Sequence, residues 1–229
     1  MKQPEVCDPR AYHHLAAQLP RMGTTAGLLH AAVAVSMHFL DDIDADEVEA
    51  EVGEIAGRVR RRVRSDSSEA KIAHLHDEFF DQLGFSGNRD DYYEPGNSLL
   101  PVVLATRTGI PISLSLLYVL VARRVGIKAE GVNSPGHFMV RVQSGHKPML
   151  VDPFFGGRVL STNEAIEWIE RTTDQSLAKN SRLLAAASHS TWITRMLYNL
   201  MNAYTFRDDQ VEVAAIQELL ALVAGDTTC

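Results

Sequence analysis

Three residues in this chain have the side chains that covalent chemistry needs: Ser113, His137 and Asp152. A hydroxyl, an imidazole that can take its proton and a carboxylate that orients the imidazole make up the general form of nucleophilic catalysis. The same residues also have a structural use. A small buried hydroxyl can be satisfied by a helix carbonyl or by the imidazole, and a His–Asp pair can tie two strands together. Residue types leave both readings open. Asn97 has two uses as well, as a side-chain donor to an oxyanion or as a cap for a short helix starting at Ser98 or Leu99.

The elements that must position these groups centre on Gly109-Ile-Pro-Ile-Ser-Leu-Ser-Leu-Leu-Tyr-Val-Leu-Val-Ala-Arg-Arg-Val-Gly126. Pro111 suits a first helical turn, and Gly126 suits a left-handed stop. The apolar residues between them fall on nearly every side, which marks a buried helix. At about 15 residues it is too short to cross a bilayer. Ser113 stands at its amino end, where the helix dipole is positive.

Downstream, residues 128–133, 137–143 and 149–152 read as three short strands joined by tight turns. In the second, Phe138, Val140 and Val142 alternate with His137, Met139 and Arg141, the period of a strand. An antiparallel meander against the central helix would bring Ser113, His137 and Asp152 together.

Upstream, helices are expected from Thr24 or Thr25 to about Leu40, from Asp46 to Arg64 on the stripe Val48, Val52, Ile55, Val59 and Val63, and after an Asp66–Glu69 capping box. Downstream, Thr162 or Asn163 caps a helix holding Ile166, Trp168 and Ile169. Residues 172–182 read as a polar connector. A helical hairpin follows, with Ile193, Leu197, Leu200 and Tyr204 facing Val211, Ala215, Leu219 and Leu222. The chain divides into a helical lobe (1–88), a core (89–170) and a connector with the hairpin (171–229), packing as one unit.

Composition narrows the function. A hydrophobic share of 45% and a charged share of 22% are those of a globular protein. A net charge of −7 argues against nucleic acid as a partner. The arginines of 58–64 read as a solvated helix end. Only Cys7 and Cys229 occur, without metal-ligand spacing, which suits a reducing cytoplasm. His74 and His76 lie two apart on a helix and face different ways. No metal, cofactor or membrane association is expected, and oligomeric state is not readable.

Four stretches carry a resemblance: Asp90-Asp-Tyr-Tyr-Glu-Pro-Gly-Asn-Ser-Leu-Leu, Arg107-Thr-Gly-Ile-Pro-Ile-Ser-Leu-Ser-Leu-Leu-Tyr, Gly131-Val-Asn-Ser-Pro-Gly-His-Phe and Val151-Asp-Pro-Phe-Phe-Gly-Gly. Together they resemble the SirB-type family, a bacterial branch of the transglutaminase-like superfamily, over roughly residues 25 to 222. The resemblance implies an α+β fold with a papain-like, transglutaminase-like core, in which a central helix packs on a small antiparallel sheet. It also implies a helical N-terminal lobe and a tetratricopeptide-like C-terminal hairpin. Catalytic members hold Cys at the helix start, where this chain has Ser113, while His137 and Asp152 match their counterparts. With Ser113 at that position the function expected is binding or regulation, the C-terminal helices offering a surface to a protein or peptide partner. The alternative is a serine-dependent hydrolase or acyltransferase acting on an amide or ester through Ser113, His137 and Asp152.

Overall fold

The computed structural model describes residues 3–145, 147–173 and 184–226. Helix α1 (Pro9–Gln18) begins where the Asp8 carboxylate accepts the N–H groups of Arg10 at 2.7 Å and Ala11 at 3.1 Å, with Pro9 at the first position. In α2 (Thr25–Ser36) the Thr24 hydroxyl accepts the Gly27 N–H at 2.9 Å. This helix ends four residues short of the expected Leu40. Helix α3 (Ala45–Arg62) buries Val48, Val52, Ile55 and Val59. The cap of α4 (Ser68–His76) is Ser67, not Asp66, because Ser67 is the residue in extended geometry whose hydroxyl reaches the Ala70 N–H at 3.1 Å. A π-helical turn, Asp77–Gln82, continues it.

Next come β1 (Ser86–Gly87), a 3-10 turn at Pro95–Ser98, α5 (Leu100–Thr106), β2 (Thr108–Gly109) and α6 (Pro111–Arg124). Strands β3 (Ala129–Ser134), β4 (His137–Ser144) and β5 (Lys147–Asp152) follow. The chain then makes a 3-10 turn at Pro153–Phe155, β6 (Arg158–Leu160), α7 (Thr162–Thr173), α8 (His189–Phe206) and α9 (Gln210–Asp226). Most of the connector expected at 172–182, and Cys229, lie outside the described residues. Among those residues no helix is long and apolar enough to cross a membrane.

The chain forms two interleaved compact units, one of residues 1–50, 89–106 and 188–229, the other of 51–88 and 107–187. This grouping differs from the three consecutive segments read from the sequence. In the first unit α2 packs on α1, α5 and α8, and α1 packs on α9, so the two ends of the chain share one core. Leu28, Leu29, Val33, Trp192, Leu197 and Leu219 are fully buried there. On α9 the buried stripe is Ala215, Ile216, Leu219 and Val223, and Val211 is exposed, contrary to expectation.

The second unit is built around α6, whose residues from Pro111 to Ala122 are all buried. It packs on β3 and β4 of an antiparallel sheet ordered β3-β4-β5-β6, with Val132 opposite Met139 and Val140 opposite Val151. The sheet therefore has a fourth strand beyond the expected meander, pairing Leu150 with Leu160. Its other face is covered by α7, where Ala165 and Ile169 join Val132, Met139, Leu150 and Leu160 in one buried cluster. Alternation along β4 leaves Phe138, Val140 and Val142 for the α6 side. Beside α6, Phe79 stacks on Phe85 at 4.2 Å, and Phe80 stacks on Tyr118 at 6.0 Å.

Candidate functional site

Two of the three chemistry-bearing side chains meet. His137 is the first residue of β4 and follows a tight turn at Pro135–Gly136, with Gly136 at φ 68°. A positive φ at the second central position is what a type II turn demands, and glycine supplies it without strain. Asp152 is the last residue of β5. The antiparallel pairing brings the two together, with His137 Nε2 2.8 Å from Asp152 Oδ2. The other carboxylate oxygen, Oδ1, accepts the N–H groups of Phe154 at 3.1 Å and Phe155 at 3.4 Å, capping the 3-10 turn. A carboxylate already accepting backbone N–H groups takes its further bond from Nε2–H. That makes Nδ1 the basic nitrogen of the ring.

Ser113 sits in the first turn of α6, and its hydroxyl is engaged within that turn. It donates to the Ile110 carbonyl at 3.0 Å and accepts the Ile110 N–H at 3.2 Å. This is half of a capping box, with serine in the place usually held by glutamate. The hydrogen bond that the imidazole makes among the described residues is the one to Asp152, so Ser113 and His137 are not joined by one. Two residues further along the helix, Ser115 Oγ donates to the Phe138 carbonyl at 3.4 Å.

The site is closed. Ser113, Asp152 and His137 are 0%, 1% and 4% exposed, so among the described residues the hydroxyl and the ring are covered. Trp168 of α7 packs over the imidazole at a centroid distance of 4.5 Å, and Phe155 and Phe154 complete the wall at 5.9 and 6.2 Å. These three aromatics are the part of the site that sequence reasoning missed. Trp168 read as one more member of an amphipathic stripe with Ile166 and Ile169, and nothing local to α7 says that it faces a histidine on a strand. Its placement depends on the cap of α7. There Ser161 Oγ accepts the Glu164 N–H at 3.3 Å, and Glu164 Oε2 accepts the Ser161 N–H at 2.8 Å. The cap is therefore Ser161, a Ser-x-x-Glu box, in place of the expected Thr162 or Asn163.

Asn97 lies in the first unit, in the Pro95–Ser98 turn. Its amide nitrogen donates to the carbonyls of Asp91 at 2.7 Å and Tyr92 at 3.3 Å. Both of these bonds brace its own loop. Among the described residues no group of three or more His, Cys, Asp or Glu is placed to hold a metal ion.

A helix carrying a small polar residue at its amino end thus packs on an antiparallel sheet whose strands present a hydrogen-bonded His–Asp pair. A sequence profile of the transglutaminase-like superfamily matches residues 46–198. The chain belongs to that superfamily. It is 36% identical over 191 residues to a UPF0162 protein of Xylella fastidiosa strain Temecula1, covering 80% of this chain and 67% of that one. A UPF0162 protein of Vibrio cholerae is 29% identical over 126 residues, 55% of this chain and 46% of the relative. F-box only protein 21 of Mus musculus shares 51% identity over 75 residues, 33% of this chain and 12% of that protein. No solved structure matches the chain.

Serine and cysteine differ in the chemistry they allow at a helix amino terminus. A thiol at a helix amino terminus beside an imidazolium can be ionised at neutral pH. A serine hydroxyl cannot be, and must instead hand its proton to a neutral imidazole as it attacks. Here the hydroxyl proton points at the Ile110 carbonyl.

Proposed function

We propose that this transglutaminase-like chain, a SirB-type member, works by binding or regulation and does not carry out acyl transfer. The observation that carries the reading is the commitment of the fully buried Ser113 hydroxyl to both backbone groups of Ile110. The His137–Asp152 pair then serves to fasten β4 to the end of β5 beneath Trp168. The α8–α9 hairpin, read as tetratricopeptide-like, offers a surface for a protein or peptide partner, with Tyr198 and Phe206 48% and 77% exposed on α8. The cysteine usage fits work in a reducing compartment such as the cytoplasm.

A fluorophosphonate probe tests the reading, since it labels an activated serine and ignores an ordinary hydroxyl. The folded protein should give no adduct at Ser113 by peptide mass spectrometry. An adduct there that disappears on denaturation and in Ser113→Ala would overturn the proposal. The second reading, a serine-dependent hydrolase or acyltransferase, draws support from the 2.8 Å His137–Asp152 bond, because that orientation turns Nδ1 into the ring's base. It requires Trp168 to swing away and Ser113 to change rotamer. Trp168→Ala should then raise labelling at Ser113, whereas the binding reading expects no adduct in that variant either.

A further inference from the structure

Where the end of α6 meets β3 and β4 lies a cavity of about 610 Å³ lined by Arg123, Gly126, Ile127, Lys128, Ala129, Glu130, Arg141 and Gln143. That volume falls within the range of small-molecule sites, about 300–1,000 Å³. Three of its lining residues are cations and one is an acid, in a protein whose net charge is −7. The arrangement follows from the register of the hairpin. Glu130 pairs with Arg141 across β3 and β4, and Gln143 N–H donates to the Lys128 carbonyl at 3.0 Å, so these four side chains share one face.

The fold holds the cations in place. Arg123 Nε donates to the Ala129 carbonyl at 2.9 Å, and burial lowers its pKa against the opposing charge of Glu130. Arg141 bonds Glu130 Oε1 at 2.6 Å through one nitrogen and the Leu184 carbonyl through another. Lys128 is exposed. Two further cations lie near the end of α6, Lys71 being paired with Asp66 at 3.6 Å. Arg60 Nη1 donates to the Arg124 carbonyl at 3.0 Å, and Lys71 Nζ is 3.7 Å from where a β-carbon on Gly126 would stand.

A helix carboxyl terminus, by itself, repels anions. At this one the carbonyls are occupied: that of Ala122 accepts Ile127 N–H at 2.9 Å, that of Arg123 accepts Gly126 N–H at 3.1 Å, and Arg124 Nη1 takes that of Leu120 at 3.2 Å. What lines the cavity is three side-chain cations, one of them paired with the Glu130 carboxylate, and one amide. Positive charge gathered in a concavity concentrates anions there, and planar guanidinium groups match phosphate oxygens in pairs.

We propose that this cavity binds a small molecule carrying two or more phosphate groups. Arg123 and Arg141 hold the phosphate oxygens, Lys128 supplies a mobile third charge, and the Gln143 amide is the neutral contact. The site is separate from Ser113 and does not depend on whether that residue reacts.

Isothermal titration calorimetry of the full chain with inorganic tripolyphosphate and, separately, with ATP tests it, at about 50 mM and about 200 mM salt, since phosphate contacts weaken as salt rises. Saturable one-to-one binding is expected, weaker at the higher salt. Lys128→Glu, at an exposed position, should weaken it at least about tenfold. Arg21→Glu makes the same change of charge on an exposed residue of the other unit and should alter affinity by less than about twofold. Tighter binding of ATP than of tripolyphosphate means that a nucleoside fills the remaining cavity, and equal affinity means that recognition ends at the phosphates. Either supports the site. No saturable binding of either probe, equal weakening by the two variants, or a single-stranded RNA oligonucleotide binding far more tightly than both probes would overturn the proposal.

Discussion

Removing the Ser113 hydroxyl separates a structural serine from a reactive one by stability rather than activity. In the native turn the Ile110 N–H donates to Ser113 Oγ at 3.2 Å, and Ile110 and Ser113 are 2% and 0% exposed, so water cannot replace the lost acceptor. Ser113→Ala therefore leaves a buried donor orphaned, a loss of about 1–3 kcal/mol. An N-terminal cap costs a comparable amount, about 0.5–2 kcal/mol. The Ile110 carbonyl loses little, because it still accepts the Leu114 N–H at 3.1 Å. In a chain of this size each kcal/mol lowers Tm by about 2–4 °C. Thermal unfolding and urea titration of the wild type and Ser113→Ala should both show the loss, with the native circular dichroism spectrum retained. Active-site polar groups are often held at some expense to stability, and replacing one is commonly neutral or favourable. A Ser113→Ala protein as stable as the wild type, within about 0.5 kcal/mol, or more stable than it, refutes the capping argument.

Three further outcomes follow from the same packing. His76 Nε2 lies 2.9 Å from the Tyr118 hydroxyl, and burial holds its pKa below the ordinary 6.5 against the opposing charge of Asp81. Below about 6.5 the unfolded chain takes up a proton that the folded chain refuses. This contribution is thus complete above that pH and lost as pH falls, by at most about 1.4 kcal/mol per unit. Urea midpoints at about pH 7.5 and about pH 5 should converge in His76→Gln relative to wild type, and parallel profiles would contradict the assignment. Ser161→Ala removes the acceptor for the Glu164 N–H and should cost about 1 kcal/mol, with faster amide exchange in the first turn of α7. A methyl group on Gly87 would stand 2.4 Å from the Phe154 ring and 2.6 Å from its carbonyl, so Gly87→Ala should cost about 1–3 kcal/mol and lower Tm accordingly.

What could be read along the chain is what short-range chemistry determines. Pro111 and Gly126 bracket α6 to within two residues, and the period-two pattern from His137 places β4. The Val48, Val52, Ile55 and Val59 stripe is buried as expected. Features set by distant contacts were not legible. Strands β1 and β2 are two residues each and pair in parallel, Ser86 with Thr108 and Gly87 with Gly109, too short for any periodicity. Strand β6 is three residues with only Leu160 buried, so it carries no alternation to recognise. The grouping of α1 and α2 with α8 and α9 depends on which apolar faces complement each other in space, and each of those faces read equally well as a local pair. The His137–Asp152 contact followed from the expected strand order, but its cover by Trp168 required knowing the angle at which α7 leaves Ser161.

The preference of position 113 for serine over cysteine has a physical reason in the first turn of α6. A thiol is a weak hydrogen-bond acceptor and donor, so a cysteine there would leave the Ile110 N–H poorly satisfied and the sulfur available to ionise. Ile110 has no side-chain oxygen, and therefore the turn cannot be capped in the ordinary way from that residue. A hydroxyl three residues later meets the need by accepting the Ile110 N–H at 3.2 Å and donating to its carbonyl at 3.0 Å. The properties that fit serine to this capping role, a strong acceptor and a proton held at neutral pH, are those that unfit it for a thiolate's role. At position 113 the hydroxyl thus supports the turn, and the 2.8 Å His137–Asp152 pair fastens β4 to the end of β5.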